Sequence, residues 1–299
     1  MRESVDISVI VVTFNSALYV ERCVESLLAQ TVSASRIVVV DNGSTDGTCE
    51  KLARFGGQIH LVQNSENHGF ALGNTIGADM CHKSAYIALL NPDAFAASNW
   101  LESLGSYARR YPHYSFFASA QYVEGEEKMV DGFGDALHIS GVAWRRGYQK
   151  KITVDQLQSN FFSPCGAAAM YKTSDFLRAG GFDQDFFCYF EDIDLVYRMR
   201  LLGMTGGLAP DAHVNHIGSA TSGGRHSEFS VYYGHRNMVW SFVKNTPLPL
   251  MVVLVIPHIL MTVAMVVAHA FSGRARVIIR AKLDALAGLP SVLKKRQSV

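Results

Sequence analysis

The chain of 299 residues is 48% hydrophobic and 18% charged, enough to bury a large core and unlike a disordered polymer. Its net charge of +1 conceals an asymmetry, with +6 on residues 274 to 299 and −5 on the rest; the body carries no basic stripe, and nucleic-acid binding is disfavoured. Cys23, Cys49, Cys81, Cys165 and Cys188 form no close pair and leave an odd one over, which speaks against a disulfide framework or a zinc site and for a reducing cytosol.

Arg2, Glu3 and Asp6 stand around the first strand with no long apolar segment and no small-residue cleavage site, so a cleaved signal peptide is not indicated. Ile7 to Thr13 is a β-branched run typical of a buried parallel strand. A helical stretch follows over Leu18 to Gln30, with Val20, Val24, Leu27 and Leu28 as its apolar side. Arg36 to Val40 is the next strand, closed by the turn-rich Asp41-Asn42-Gly43-Ser44-Thr45-Asp46-Gly47. A further helix, a strand at Ile59 to Gln63 and a helix at Ala71 to Cys81 lead to the strand Tyr86 to Leu90. This alternation predicts a mostly parallel α/β sheet with helices on both faces. Between residues 115 and 170 the pattern loosens; Phe116 to Val123 and Gly166 to Tyr171 read as strands with loops or hairpins between them.

Two acidic stretches stand out. Asn91-Pro92-Asp93-Ala94 follows a strand directly, and Glu191-Asp192-Ile193-Asp194 opens a helix that ends near Leu202. Open α/β sheets bind ligands at the C-terminal ends of their strands, so one carboxylate there would anchor a phosphorylated donor while the other takes a proton. The first β-α turn reads Thr13-Phe14-Asn15-Ser16-Ala17-Leu18 and lacks the Gly-x-Gly-x-x-Gly of dinucleotide-binding folds, which disfavours a nicotinamide or flavin dehydrogenase. Downstream, His213 and His216 lie on a strand-like run whose alternation points them to opposite faces. Glu228 to Lys244 reads as a helix carrying Tyr232, Tyr233, Arg236 and Asn237, and the Gly-Ser-rich Gly218 to Gly224 before it has the composition of a closing lid.

These residues, together with Asn67-His68-Gly69-Phe70-Ala71, Gly166-Ala167-Ala168 and Arg236-Asn237, make the stretch from about residue 6 to 245 resemble family 2 glycosyltransferases of the GT-A fold, most closely their bacterial rhamnosyltransferase-like branch. The resemblance implies a catalytic domain over residues 1–245 with a GT-A Rossmann-like sheet. Asp192 would be the catalytic base, with Glu191 and Asp194 orienting it or capping the helix. Thr13, Asn15 and Asp41 would line the nucleotide pocket, Asp41 meeting the pyrimidine imide, although Asp41 and Asp46 would equally serve to cap a turn and a helix. Gly69 and Phe70 would let the backbone approach the donor, and Asn91, Asp93 and Arg236 would meet its phosphates, Arg by bidentate hydrogen bonds. Gly166 and Ala167 would face the acceptor, unless the small side chains only ease sheet packing. Asn91-Pro92-Asp93 stands where the family carries Asp-x-Asp, and with a single carboxylate a divalent metal (Mg2+ or Mn2+) would rely on Asp93, His216, water and donor phosphates. The implied reaction is inverting transfer of a sugar, with dTDP-rhamnose as leading donor, to a glycan or lipid-linked acceptor in polysaccharide and cell-envelope biosynthesis. A sugar-nucleotide nucleotidyltransferase would want a Gly-rich basic loop after the first strand, and none follows Thr13; a silent glycan-binding protein of the same fold is the other alternative.

Leu250 to Phe271 is apolar except for His258, Thr262 and His269 and is interrupted by Pro257. Its length approaches the roughly 20 residues of a membrane span, but crossing would carry the basic end to the far side, against the positive-inside tendency. An interfacial position is favoured, supported by Arg276 and Arg280 opposite Ile278, Leu286 and Leu289 in a basic amphipathic pattern. Residues 246–299 thus read as a membrane-associating helical appendage that holds the protein at the cytoplasmic face.

Overall fold

The opening β-branched run forms β1 (Ile7–Thr13), buried on both faces: Val9 and Val11 enter one hydrophobic layer and Ile10 the other. The computed structural model describes residues 6–126, 128–153, 156–157, 160–218, 227–269 and 273–297. The amphipathic α1 (Val20–Leu28) buries Val20, Cys23, Val24 and Leu27 and leads to β2 (Arg36–Asp41). After α2 (Thr48–Ala53) come β3 (His60–Gln63), α3 (Gly69–Met80) and β4 (Tyr86–Leu90). The four strands are parallel in the order β3-β2-β1-β4.

Beyond β4, β5 (Ala94–Ala96) and α4 (Trp100–Arg110) lead to β6 (Tyr114–Val123). The loosely patterned region resolves into β7 (Met129–Gly132), a hairpin of β8 (Asp135–Leu137) and β9 (Ala143–Arg145), and the short β10 (Lys150–Lys151). The strand expected from Gly166 begins later, as β11 (Ala168–Lys172), and leaves Gly166 and Ala167 in a turn. β11 runs antiparallel between β4 and β6, so the sheet is mixed at this point although mostly parallel. α5 (Thr173–Arg178) and α6 (Glu191–Leu201) follow, and β12 (Thr205–His216) then pairs parallel to β6 and antiparallel to β5.

The C-terminal quarter consists of α7 (Glu228–Asn245), α8 (Leu248–Ala268), α9 (Ala275–Ala287) and α10 (Leu289–Arg296). α8 continues through Pro257 without interruption. α9 and α10 fold back toward α7: Ala285 and Val292 pack with Val239, Trp240 and Phe186, and Trp240 Nε1 donates to the Ala285 carbonyl over 3.0 Å. This changes the expected amphipathic tail. Ile278 is buried while Leu286 is exposed, because the eight positions between them turn the helix by about 80° beyond two full turns. The outward apolar stripe is Ile279, Leu283 and Leu286 instead. The lid expected at Gly218 to Gly224 falls, apart from Gly218 itself, outside the described residues.

Candidate active site

The C-terminal ends of β1 and β4, the turn before β11 and the N-terminus of α6 converge on a cleft of about 680 Å3. Thr13 lines it with Val12 and Phe14, and so do Gly69 and Phe70, Asn91-Pro92-Asp93, Gly166 and Ala167, Glu191 and Asp192, and His216. Two stretches 100 residues apart in sequence thus share one cavity.

Asp192 sits in the first turn of α6, where the helix dipole and free backbone N–H groups favour a carboxylate. Its Oδ2 accepts from the Gly166 N–H at 3.1 Å and its Oδ1 from the Ile193 N–H at 2.8 Å. Burial raises its pKa above the usual carboxylate value; these N–H groups and the Arg145 guanidinium act in the opposite sense without cancelling the shift. Glu191 is also buried, with Oε2 unpartnered, and burial together with the charge of Asp192 pushes it well above its ordinary value. Asp194, two residues beyond Asp192, leaves the cleft: it accepts from Arg198, Lys244 and Asn245 in a buried network that ties α6 to α7. The acidic run therefore splits by side-chain direction, two residues to the cleft and one to the fold.

The segment before α6 is strained. Phe187, Tyr189 and Phe190 have φ of 64°, 66° and 69°, in the left-handed region that costs non-glycine residues energy. What holds it is Asn237 on α7, fully buried, whose Nδ2 donates to the carbonyls of Phe186, Cys188 and Tyr189 at 2.8, 2.9 and 2.7 Å. Arg236 belongs to the same brace rather than to a phosphate site. Its Nη2 donates to the Asp185 and Phe186 carbonyls and its guanidinium stacks over Trp240 at 4.1 Å, and it does not line the cleft.

Gly69 meets this segment from the other side. At φ +76° its missing Cβ would lie 2.5 Å from the Phe187 carbonyl oxygen, so the glycine admits a neighbouring backbone. Substituting Gly69→Ala should lower stability by about 1–3 kcal/mol and displace the turn before α6, read as a lower Tm with a lower kcat.

His216, at the end of β12, is the hinge of a second array. Its Nδ1 lies 2.8 Å from Asp131 Oδ2, and its Nε2 lies 3.3 Å from Asp93 Oδ1 without hydrogen-bond alignment, buried and otherwise unpartnered. Burial opposes charge on this imidazole, but Asp131 and Asp93 outweigh it and bring the pKa to about 9. Asp131 Oδ2 also accepts from Arg145 Nη1 at 2.5 Å, and Arg145 Nη2 lies 2.9 Å from Cys165 Sγ. A chain of polar contacts therefore runs from Asp93 through His216, Asp131 and Arg145 to Cys165, next to Gly166. Asp131, Asp135 and Arg145 come from the loosely patterned region, and no periodicity or motif marks them in the sequence.

His216 Nε2 faces the buried Asp93 carboxylate, and with the Nε2 proton displaced the pair would fit a divalent cation that completes its shell with water and phosphate oxygens. Asp131, holding the other ring nitrogen, is the usual support of a ligating histidine. Asp135, Cys165 and Asp192 also bring ligand atoms within 4.8 Å of one another. That trio suits a metal poorly, because the Arg145 guanidinium already contacts the sulfur and burial pushes the Cys165 thiol up to about 12. His213 faces away from His216, half-buried beside Tyr122.

The remaining nucleotide-side residues are held to one another. Asp41 is buried and accepts from Thr13 Oγ1 at 2.7 Å and from both the hydroxyl and N–H of Ser44. Asn15, at φ 49°, joins the loops after β1 and β2 through the Ser44 hydroxyl and the Thr45 N–H. Neither lines the cleft, whereas Asn42 does, its Nδ2 bonded to the Gly69 carbonyl. Asp46 caps α2 through the Thr48 N–H and hydroxyl.

Residues 8–178, more than half the chain, match the family model described as glycosyl transferase family 2. The chain belongs to that family. A glycosyltransferase described as uncharacterized from Haemophilus influenzae is 28% identical over 142 residues, 46% of this chain and 43% of its own length. The N-acetylglucosaminyl-diphospho-decaprenol L-rhamnosyltransferase of Mycobacterium tuberculosis is 24% identical over 72% of this chain and 77% of its own. The rhamnosyltransferase WbbL of Escherichia coli is 26% identical over 70% and 82%. Among solved structures, GalNAc-T7 with UDP, GalNAc and Mn2+ superposes with a TM-score of 0.63 at 17% identity, over 82% of this chain and 48% of that one. Staphylococcus aureus TarS 1-349 with UDP gives 0.55 at 14%, over 84% and 70%. The fold of this glycosyltransferase is thus GT-A-like, and the match spans under half of the Haemophilus protein and of GalNAc-T7.

Proposed function

We propose that this family 2 glycosyltransferase inverts the anomeric centre as it moves a sugar from a nucleoside-diphosphate donor to a hydroxyl of a glycan or lipid-linked acceptor. The reading rests most on one observation: Asp192 and Asp93, far apart in the sequence, line the same cleft. The acceptor oxygen forms its bond to the anomeric carbon as the bond from that carbon to the diphosphate oxygen breaks. The hydroxyl proton passes to the Asp192 carboxylate, and the bonding pair leaves with the nucleoside diphosphate. Asp192 is suited to this because its raised pKa makes it a stronger base than an exposed carboxylate. Burial sets that basicity, and Glu191 would help orient the base as its buried neighbour. Thr13, with Asp41 and Asn15 behind it, shapes the nucleotide end, Phe70 and Asn91 flank the donor, and Gly166 and Ala167 leave room for the acceptor. Asp93 and His216 would hold Mg2+ or Mn2+, which when bound neutralises charge on the departing diphosphate. The rhamnosyltransferases among the relatives favour dTDP-rhamnose as donor and a diphospholipid-linked sugar as acceptor. The apolar α8 and the basic residues after it favour attachment to the cytoplasmic face of a membrane.

A panel of nucleotide sugars tests the donor. The true donor at 100 times its Kd should stabilise the fold by about 2.7 kcal/mol, seen as a raised Tm, and should release its nucleoside diphosphate when acceptor is added. Stabilisation by no nucleotide sugar in the presence of Mn2+ or Mg2+ would contradict the reading.

A further inference from the structure

We propose that the β8–β9 hairpin and α8 form one lipid-facing surface, with α8 lying in the plane of the bilayer interface and the mouth of the reactive cleft opening against the membrane. The inference rests on the membrane-attached reading above and specifies its geometry.

α8 is apolar apart from His258 and Thr262 and almost entirely uncovered: Val252, Ile256, Leu260 and Val267 are each more than 60% exposed. A helix of this kind in a water-soluble fold has a lipid face or a partner. Its length alone would allow it to cross a bilayer, but its fastening forbids that. His258 is the middle residue of α8; its Nδ1 lies 2.8 Å from the Ser140 carbonyl, and its ring stacks on Phe242 with centroids 4.2 Å apart. Ser140 lies in the turn of the β8–β9 hairpin. In a spanning helix His258 would sit about 15 Å from either interface and would drag that hairpin turn into hydrocarbon. The same hairpin carries Asp135 and Arg145, whose backbone and side chains serve the polar cleft. Irregular polar backbone facing lipid at that depth does not occur. Lying flat satisfies both the exposed apolar surface and the His258 anchor.

The hairpin continues this surface. Leu137 and Ile139 share an apolar groove of about 220 Å3 with Leu250 and Leu254 of α8, and Ile139 is 61% exposed at its edge. Trp144 on β9 is 49% exposed and also lines the cleft; an amphipathic ring at such a boundary is typical of a headgroup-level anchor. Charge selects the occupant. Arg276 and Arg280 are exposed on α9 beside the stripe of Ile279 and Leu283, and Lys150 and Lys151 are exposed on β10 just past the hairpin. Basic residues flanking apolar ones complement a leaflet containing anionic phospholipid.

The chain supplies its own probe, since Trp100 and Trp240 are buried and Trp144 is the tryptophan at the surface. The full-length protein is mixed with vesicles of phosphatidylcholine and phosphatidylglycerol, with bromines placed either near the headgroup or deep in the acyl chain. Tryptophan emission should be quenched, more by shallow than by deep bromines, and the Trp144→Phe variant should lose the quenching while still floating with the vesicles. Ile139→Glu should reduce flotation several-fold while transfer to a water-soluble acceptor persists. Flotation without quenching of Trp144, or quenching by deep bromines alone, would overturn this geometry and leave membrane attachment standing. Absence of flotation would remove both, and self-association that shields Trp144 without lipid would assign the surface to a second copy and overturn the proposal.

Discussion

Replacing Asp192 by Asn should lower kcat by about 10²- to 10⁴-fold, roughly 3 to 5 kcal/mol of transition-state stabilisation, with the KM for donor little changed. The amide cannot accept the acceptor proton, yet it fits the same space beside Gly166 and Ile193 and keeps one of their two N–H bonds. A circular-dichroism melt separates this from unfolding. The pH profile carries a second signature. A base works only when ionised, and the pKa of Asp192 is raised from an ordinary 3.8, so the acid limb of kcat lies above that of an exposed carboxylate and activity falls as pH drops through it. The same burial has a stability sign. Glu191 is raised well above its ordinary 4.5, so its contribution to stability is complete below the unfolded value and declines as pH rises toward and through the folded one. Glu191→Gln should remove that decline, and Tm measured from pH 4 to 8 should flatten relative to the parent. An acid limb near pH 4, together with an Asp192→Asn enzyme of undiminished kcat, would move the base elsewhere.

How much of this was legible in the sequence follows from how local each signal is. β1 to β4, α1 and α3 are written in β-branched runs, 3.6-residue spacing and turn clusters, and they stand within two residues of where those patterns place them. The placing of Asp93 and Asp192 beside one cleft was readable because each follows or opens an element cleanly. What failed was side-chain direction and pairing across distance. Asp194 is chemically indistinguishable from Asp192 until α6 is docked, whereupon Lys244 and Asn245 claim it. Arg236 resembles a phosphate ligand until the strained turn from Phe187 to Phe190 supplies carbonyls for it and for Asn237 to hold. Asp131 and Arg145 lie on short strands with no periodicity, and their roles come from pairing with His216 and Cys165, which no spacing rule encodes.

That array yields the second large effect. Arg145→Met should cost roughly 3 kcal/mol of stability, because it leaves the buried Asp131 carboxylate to be balanced by His216 alone. A quarter of the Arg145 side chain still meets solvent, which keeps the loss at the low end of what breaking a fully buried pair costs. The arginine itself is held firmly charged: burial works against the cation, but Cys165, Asp131, Asp135 and Asp192 more than offset it. Activity should fall about 10- to 100-fold, the usual effect of removing a residue that supports a ligating or reacting group. Both ends of the cleft should register the change, since Arg145 reaches Asp93 through Asp131 and His216 and lowers the pKa of Asp192 directly. The acid limb of kcat should therefore move to higher pH, and the concentration of Mn2+ or Mg2+ needed for half-maximal activity should rise. Arg145→Lys keeps the charge but cannot contact Asp131 and Cys165 together, so it should restore Tm more fully than kcat. A Met variant with the parent's Tm, pH profile and metal requirement would show that the two carboxylate centres act independently.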